Sequence, residues 1–346
     1  MLLLVDMHQD LFCQRYGNGA PLWACPDDIP YQPLEPWFLN YASAAVTAAF
    51  DRFWTDAELR GHLVRAWAEL GRALADLEAV VAFEPINEPW PGSFPPESFE
   101  PLQLSGFYSE VIAGLDRAAP GRLYVLEPAV TRQISGRTWL ALPPRADLVY
   151  APHYYHPRVE SGQGYTEADR PALLEELERI RSDGQRLGLP ILLGEYGGQS
   201  SCPGFADYLE QLEQELEAEG ISSSLWEHAR DARGFGLLDT EGQVKQEMRA
   251  FLRPYALRVP GRRVVERYAA AQGCYRAFFE GDPAVPGPLE LVLPRRLAGG
   301  ELILRSQSDP AAAASPRLSA ERTRLVLPYP ARGGIRDLEV CGLATP

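Results

Sequence analysis

The stretch Val80-Val81-Ala82-Phe83-Glu84-Pro85-Ile86-Asn87-Glu88-Pro89 joins a run of apolar residues to a polar tripeptide that ends in proline. The stretch Pro190-Ile191-Leu192-Leu193-Gly194-Glu195-Tyr196-Gly197 has the same arrangement, with a glutamate just past its apolar run. Apolar runs that do not alternate with polar residues are typical of strands buried on both faces. We therefore predict that Glu88 and Glu195 each follow a buried strand, and that only the folded chain brings them together.

Further apolar runs and amphipathic segments surround these two stretches. The predicted strands are 2–5, 80–83, 123–126, 148–151, 190–193 and 222–226. Apolar residues spaced three and four apart predict helices from Leu59 to Leu77, from Leu173 towards Gly188 and from Leu209 to Gly220. Strands that alternate with helices are typical of a parallel α/β fold. Polar residues at the strand ends favour a TIM-type (β/α)8 barrel in particular.

The number of predicted strands bears on how much of such a barrel the sequence contains. A closed barrel of this type has about eight strands, whereas six are visible and the first begins at residue 2. We therefore expect an N-terminally incomplete barrel in residues 1–257 that lacks its first two βα units. Because an open barrel exposes strand edges and apolar surface, we expect poor solubility of this polypeptide made alone.

The pattern of apolar residues changes after about residue 258. Helical periodicity stops, and short β-rich runs separated by Gly and Pro follow, such as Leu289–Leu293 and Leu325–Leu327. These runs predict a small C-terminal antiparallel β-sandwich domain in residues 258–346.

Composition limits the classes of partner. The 346 residues contain 33 Lys and Arg against 47 Asp and Glu, for a net charge of −14. Nucleic-acid and anionic membrane surfaces are bound by clustered basic residues, so this balance argues against both. No apolar run approaches the roughly 20 residues that a transmembrane helix needs. A neutral, sugar-like substrate fits the composition better, and the sequence indicates neither a compartment nor an oligomeric state.

The two strand-end glutamates indicate a specific chemistry. A retaining glycosidase uses one carboxyl group to protonate the leaving oxygen and a second to attack the sugar carbon. We predict Glu88 as the acid/base and Glu195 as the nucleophile, with the Asn87 amide bound to a sugar 2-hydroxyl. In the alternative interpretation, Asn87-Glu88-Pro89 is a loop that starts a helix and Glu195 points to solvent from a turn.

Other strand ends carry further candidate substrate-binding residues. We predict that His8 and Asp10 bind sugar hydroxyls, that His153 donates to the substrate, and that Tyr155 positions the nucleophile. Trp226, at the end of a predicted strand, is the candidate for stacking under a pyranose ring, with core packing as the alternative. A metal site formed by His8, Asp10 and His153 is a rival hypothesis, but the spacing of these residues matches no metal motif. We therefore predict no metal ligands.

Together these residues resemble glycoside hydrolase family 5. The family carries His, Asn-Glu, His-x-Tyr, Glu and Trp at successive strand ends, which match His8, Asn87-Glu88, His153 with Tyr155, Glu195 and Trp226. An arginine on the family's second strand has no counterpart here. Within the family, Asp6-Met7-His8-Gln9-Asp10, the nearby Gly17-Asn18-Gly19-Ala20-Pro21 and the β-rich C-terminal segment resemble the endoglycoceramidase and glucosylceramidase-related subgroup.

The resemblance implies a retaining β-glycosidase that acts on a sugar joined to a lipid such as ceramide or sterol. It implies no metal or organic cofactor. Three alternatives stay open at this point: a β-glucan hydrolase of the cellulase type, a non-catalytic carbohydrate- or lipid-binding remnant, and the metal hydrolase described above.

The cysteines give a weaker signal. Cys13, Cys25, Cys202, Cys274 and Cys341 are scattered and form no CxxC pair. Free thiols are the favoured interpretation, although a Cys13–Cys25 bridge within one loop stays open.

Overall fold

The computed structural model describes residues 2–26, 28–295, 297, 301–330 and 332–343. The strands are β1 (Leu3–Asp6), β2 (Val80–Glu84), β3 (Leu123–Leu126), β4 (Leu148–Tyr150), β5 (Leu192–Gly197), β6 (Ser222–Trp226), β7 (Tyr255–Arg258), β8 (Gly261–Ala269), β9 (Cys274–Gly281), β10 (Leu289–Val292), β11 (Ile303–Arg305), β12 (Arg317–Leu318), β13 (Arg324–Leu327) and β14 (Gly334–Cys341). The α-helices are α1 (Ala44–Thr55), α2 (Ala57–Leu74), α3 (Pro96–Phe99), α4 (Ser105–Ala118), α5 (Arg132–Ser135), α6 (Pro157–Glu160), α7 (Arg170–Leu187), α8 (Phe205–Glu219) and α9 (Pro310–Ala314). Short 3-10 helices lie at Leu22–Ala24, Trp37–Ala42, Glu167–Asp169, Gln246–Phe251 and Ala270–Gln272, and a π-helical turn lies at Glu100–Leu104.

The chain divides into two compact units. The first comprises Met1–Tyr154 with Leu174–Glu195, and the second comprises Tyr155–Leu173 with Tyr196–Pro346. The domain boundary predicted between residues 257 and 258 is a different kind of division and stays a prediction.

A parallel sheet forms the centre of the first unit. Its order is β1-β2-β3-β4, with every neighbouring pair parallel. A parallel bridge from Tyr150 to Ile191 continues the sheet to the segment that leads into β5. Because the register pairs Asp6 with Glu84 and Leu126 with Tyr150, the C-terminal ends of these strands meet at one edge. The predicted alternation of parallel strands with helices, and the α/β fold of the TIM-barrel type, are confirmed.

Helices α1, α2 and α4 cover this sheet with a large apolar core. Its members include the fully buried aromatic side chains of Phe50, Trp54, Trp67, Phe83 and Tyr108. Gly71 permits the close approach of α2 to α4, because a Cβ atom there would lie 2.9 Å from Cδ2 of Leu115. The strand β1 is at the edge of the sheet, and Leu3 and Leu4 in it are 37% and 38% exposed.

Two antiparallel sheets form the C-terminal part of the second unit. Their orders are β12-β13-β10-β7 and β11-β14-β9-β8. Alternate residues of both sheets contribute to one apolar cluster, including Tyr275 and Phe279 from β9 and Leu289 and Leu291 from β10. Two antiparallel sheets with a shared core are a β-sandwich, as predicted.

The structure corrects the expectation of free thiols. Cys13 is bonded to Cys25 within the first unit, and Cys274 is bonded to Cys341 within the second. The second bridge joins the start of β9 to the end of β14, two strands that already pair in one sheet. Cys202 is the free cysteine and is buried. Among the described residues, we find no helix with the length and apolar character needed to cross a bilayer.

Candidate active site

Acidic and histidine side chains cluster where the parallel strands of the first unit end. Glu84 is the last residue of β2, and Glu88 lies four residues further on. Glu127 directly follows β3, His153 lies three residues after β4, and Glu195 lies within β5. The clustering follows from the parallel arrangement, because adjacent parallel strands end at the same edge of a sheet.

His153 is at the centre of this cluster. Its Nδ1 atom lies 3.1 Å from Oε1 of Glu88 and 3.5 Å from Oε2 of Glu195, and its Nε2 atom lies 3.4 Å from Oε2 of Glu127. Burial alone would lower the pKa of His153, but the hydrogen bond to Glu88 and the negative charges of Glu195, Glu88 and Glu84 raise this pKa to about 9. A protonated imidazolium at neutral pH offsets the repulsion between the surrounding carboxylates.

The structure brings Glu88 and Glu195 together. One ligand atom each from Glu88, His153 and Glu195 lies within 4.8 Å of the other two. The backbone N–H of Tyr154 donates to the carbonyl of Glu195 at 3.0 Å, and that of Gly194 donates to the carbonyl of Pro152 at 3.0 Å. These bonds hold β5 beside the segment that carries His153.

Gly194 has a steric reason for its place in this motif. A Cβ atom on Gly194 would lie 3.0 Å from two atoms of the His153 ring. That separation is tighter than ordinary van der Waals contact, so glycine allows the imidazole to lie against the backbone of β5.

The Asn87-Glu88 segment is fixed by its neighbours on the loop after β1. Nε2 of Gln9 donates to the backbone carbonyl of Asn87 at 2.6 Å, and Nδ2 of Asn87 donates to the backbone carbonyl of Gln9 at 2.8 Å. The backbone of Glu88 has a φ of +41°, in the left-handed region that non-glycine residues seldom adopt. Such a conformation at a polar cluster is typical of functional sites, where the surrounding contacts hold it.

Glu84 and Glu127 were not among the site residues predicted from the sequence. Glu84 is 7% exposed and Glu127 is 2% exposed, and one carboxylate oxygen of each has no hydrogen-bond partner among the described residues. Burial, with the charge of Asp6, raises the pKa of Glu84 to about 8. Burial, with the charges of Glu84 and Glu88, raises the pKa of Glu127 well above its usual value. A usable signal was present, because Glu127-Pro128 directly follows an apolar run in the same way as the other candidates.

His8 and Asp10 lie on the polar loop that follows β1. Nδ1 of His8 lies 2.9 Å from Oδ2 of Asp6, and its Nε2 lies 3.9 Å from Oδ1 of Asp10. Asn18 supports Asp10, because its Nδ2 donates to Oδ2 of Asp10 at 2.6 Å. The hydrogen bond that His8 donates to Asp6 raises the pKa of His8, against the opposing effect of burial. Both predicted residues are partly exposed.

Tyr155 and Trp226 belong to the second unit. The ring of Tyr155 packs edge-on against Phe235, with centroids 5.8 Å apart, and Trp226 is the last residue of β6. Their predicted roles, nucleophile positioning for Tyr155 and sugar stacking for Trp226, stay predictions.

Among the residues that the structure describes, two side-chain sets are compact enough to hold a cation. One is Glu84, Glu127 and His153, and the other is Glu88, His153 and Glu195. Neither set contains His8 or Asp10, which the rival metal hypothesis requires with His153. The imidazole of His153 lies within 3.5 Å of Glu88, Glu127 and Glu195.

An apolar cavity of about 300 Å³ borders the loop after β1. Its lining includes Met7, Phe12, Trp23, Phe53 and Leu59, with His8, Gln9 and His62 as polar members. Nearby in sequence, Leu34, Trp37, Phe38 and Leu39 are each between 43% and 51% exposed. The first unit therefore combines a polar carboxylate cluster with accessible apolar surface.

Comparison with known proteins identifies several relatives. The model of the family described as Cellulase (glycosyl hydrolase family 5) matches residues 1–231. Endoglycoceramidase I of Rhodococcus hoagii (strain 103S) is 30% identical over 173 residues, which cover 45% of this chain and 35% of that protein. A glucosylceramidase of Rhizopus delemar is 29% identical over 126 residues, which cover 26% of this chain and 18% of that protein. These matches therefore span about a third and about a fifth of the curated relatives.

Solved structures share the fold at low sequence identity. The endo-glycoceramidase II of Rhodococcus sp. in complex with ganglioside GM3 superposes with a TM-score of 0.87 at 23% identity, over 99% of this chain and 81% of that one. Sterylglucosidase 1 of Cryptococcus neoformans superposes with a TM-score of 0.76 at 12% identity, over 100% of this chain and 82% of that one. The family model covers more than half of the sequence and spans the whole carboxylate cluster, so the chain belongs to glycosyl hydrolase family 5.

Proposed function

We propose that this chain is a retaining β-glycosidase that hydrolyses glycolipids by double displacement, with Glu88 as acid/base and Glu195 as nucleophile. The observation that carries the proposal is the convergence of both carboxylates on His153, with one oxygen of each within 4.8 Å of the other. Retaining enzymes hold their two carboxyl groups about 5–5.5 Å apart, whereas inverting enzymes leave about 6.5–9.5 Å for a water molecule. The short separation favours direct attack on the sugar.

The proposed reaction has two steps. In the first, Glu195 attacks the anomeric carbon while Glu88 gives its proton to the leaving oxygen, so the glycosidic bond breaks and a glycosyl ester forms on Glu195. In the second, Glu88 takes a proton from water, and the resulting hydroxide oxygen displaces Glu195 from the sugar. His153 contacts both carboxylates and stabilises the charge that each carries in turn.

Polar residues around the cluster are proposed to bind the sugar. His8 and Asp10 remain the candidates for its hydroxyl groups. One hydrogen bond from Nδ2 of Asn87 goes to Gln9, which orients the amide and leaves its second N–H for a 2-hydroxyl. The mechanism uses carboxyl chemistry throughout, so the proposal includes no metal or organic cofactor.

Two observations support a lipid aglycone. The curated relatives are named as an endoglycoceramidase and a glucosylceramidase. The first unit also carries an apolar cavity next to His8 and exposed apolar side chains at 34–39. The alternative is a β-glucan hydrolase of the cellulase type after which the family is named.

Product analysis and covalent trapping test the mechanism. We expect the β-anomer as the first product by NMR, and a 2-fluoro glycoside inactivator should attach to the peptide that contains Glu195. Glu88→Gln and Glu195→Gln should each lower kcat/KM on an alkyl glycoside by about 10²–10⁴-fold. The control Glu97→Gln changes an exposed carboxylate and should leave activity unchanged.

Substrate preference tests the aglycone. We expect faster turnover of a short-chain glucosylceramide than of a cello-oligosaccharide. The reverse preference would replace the glycolipid with a β-glucan, and sugar binding without turnover of either substrate would indicate a carbohydrate-binding remnant. A first product of inverted configuration, or a label on a residue other than Glu195, would refute the mechanism itself.

A further inference from the structure

We propose that Glu127 is a positioning residue that holds the acid/base Glu88 from two sides, an inference that rests on the proposed function of Glu88. Glu127 is not among the site residues that the sequence motifs predict or that the family resemblance implies. The proposal concerns the orientation of Glu88 relative to the leaving oxygen of the substrate.

The first contact is made with the backbone. Oε2 of Glu127 accepts a hydrogen bond from the N–H of Glu88 at 3.0 Å. Glu88 is the residue with a φ of +41°, a left-handed conformation that is strained for a residue other than glycine. A buried hydrogen bond to its N–H helps to hold that conformation.

The second contact acts through His153. The same Oε2 atom of Glu127 lies 3.4 Å from Nε2 of His153, whose Nδ1 lies 3.1 Å from Oε1 of Glu88. His153 therefore has its two ring nitrogens directed at Glu127 and Glu88, and its ring orientation depends on both. Removing Glu127 frees the backbone and the side-chain partner of Glu88 at once.

Glu127 itself is held firmly. It directly follows β3, and its backbone carbonyl accepts a hydrogen bond from the hydroxyl of the fully buried Tyr108 at 2.7 Å. The next residues reinforce the link, because the N–H of Val130 donates to the carbonyl of Pro89, which follows Glu88, at 3.2 Å. The loops after β2 and β3 are thereby joined at a fixed spacing.

Glu84 provides a matched comparison. It is a buried carboxylic acid in the same cluster, with a raised pKa like that of Glu127. Within the described part of the chain, no hydrogen bond joins the side chain of Glu84 to Glu88. If the activity depended only on a buried carboxyl group in this cluster, substitutions of Glu84 and Glu127 would have the same effect on kcat/KM.

The dependence of kcat/KM on the leaving group distinguishes a positioning role of Glu127 from a role in stabilising the fold. The 2,4-dinitrophenolate group of an aryl glycoside departs without protonation. The octanol group of an octyl glycoside of the same sugar needs the proton of Glu88 to depart. For Glu127→Leu and Glu127→Ala we expect kcat/KM to fall at least tenfold on the octyl glycoside and less than threefold on the dinitrophenyl glycoside. Glu127→Gln keeps an acceptor for the Glu88 N–H, so its loss on the octyl glycoside should be smaller.

Two controls make the outcome decisive. Glu84→Gln should change kcat/KM by the same factor on both substrates. Glu88→Gln should show the largest difference between the two substrates in its loss of kcat/KM. Equal losses on both substrates in the Glu127 variants, or no loss in any, would overturn the inference while leaving the proposed function intact. If Glu88→Gln itself shows no difference between the substrates, the acid/base assignment and this inference both fail. Should Leu and Ala variants misfold by circular dichroism, an undiminished Glu127→Gln variant would overturn the proposal.

Discussion

Gln9 and Asn87 hydrogen-bond to each other reciprocally: each side-chain amide donates to the other's backbone carbonyl, at 2.6 Å and 2.8 Å. Oε1 of Gln9 also accepts from the N–H of Phe12 at 2.9 Å. One buried side chain therefore fastens the loop after β1 to the loop that carries Glu88. The candidate acid/base depends on a residue that is far away in sequence and has no chemical role of its own.

Replacing Gln9 should loosen this connection. Gln9→Ala leaves the carbonyl of Asn87 and the N–H of Phe12 without their partners, and each unsatisfied buried group costs about 1–3 kcal/mol. We expect a lower free energy of unfolding in urea and a lower kcat. The exposed Gln14→Ala is the matched control and should leave both unchanged. Equal stability of the two variants would show that the reciprocal bonds contribute nothing.

The two disulfides should stabilise the chain. For closed loops with separations of 12 and 67 residues, loop entropy predicts about 3 and about 4 kcal/mol respectively. We expect dithiothreitol to lower the Tm, and Cys13→Ser and Cys274→Ser to lower it individually.

Thiol counting checks the pairing directly. The unreduced protein unfolded in guanidinium should show one reactive thiol, that of Cys202, and Cys202→Ser should show none. Five reactive thiols before reduction would show that neither disulfide forms, as the sequence interpretation expected.

Local sequence signals were sufficient for the two strands next to the glutamates. The run before Asn87 is apolar without alternation, and Glu88 follows the strand where a turn begins, so this strand and its glutamate could be predicted. The run before Glu195 predicted a strand but not its end, because β5 continues through Glu195 to Gly197. The helix α2 was predictable for a similar reason, since its leucines recur at helical spacing.

Local sequence signals could not predict the features that depend on which residues meet in the folded chain. Cysteine spacing does not say which thiols meet in space, so the bridge between β9 and β14 was missed. Glu84 and Glu127 resemble any acidic residue at a strand end, and their importance follows from burial beside other carboxylates. The helix α1 is rich in alanine and aromatic residues without a clean leucine repeat, and it too was not predicted.

A buried ion cluster near the candidate site should contribute strongly to stability. Arg132 is 2% exposed, and its Nε donates to Oδ2 of Asp183 at 3.0 Å while Nη1 pairs with Glu176. Arg132→Met leaves the buried Asp183 without its ion pair and Glu176 with only its 3.4 Å contact to Arg179. Breaking a buried ion pair costs about 3–5 kcal/mol. Urea unfolding should show that loss as a lower midpoint.

Arg179→Met is the matched control for this change. Arg179 is 44% exposed and pairs with the exposed Glu175 and, at 3.4 Å, with the buried Glu176. Ion pairs of an exposed arginine contribute about 0–1 kcal/mol. A midpoint for Arg132→Met as high as that of Arg179→Met would contradict the buried-pair argument.

The carboxylate cluster makes stability depend on pH in a definite direction. The pKa of Glu84 rises on folding from 4.5 to about 8 through burial and the charge of Asp6, and that of His153 rises from 6.5 to about 9 despite its burial. Both groups retain a proton in the folded state that the unfolded chain releases. Their stabilising contribution is therefore complete below pH 4.5 and pH 6.5 respectively, and it is lost as the pH rises to about 8 and about 9.

Glu84→Gln isolates one of these contributions, because glutamine is neutral at every pH. Within the window from pH 4.5 to 8 the wild-type free energy of unfolding should fall by up to about 1.4 kcal/mol per pH unit from this group. The Tm of the variant, measured against that of the wild type, should therefore rise between pH 5 and pH 8. The exposed Glu97→Gln should follow the wild type throughout. If Glu84→Gln also follows it, Glu84 is ionised in the folded protein, and the cluster must balance its charge without a proton on that carboxyl group.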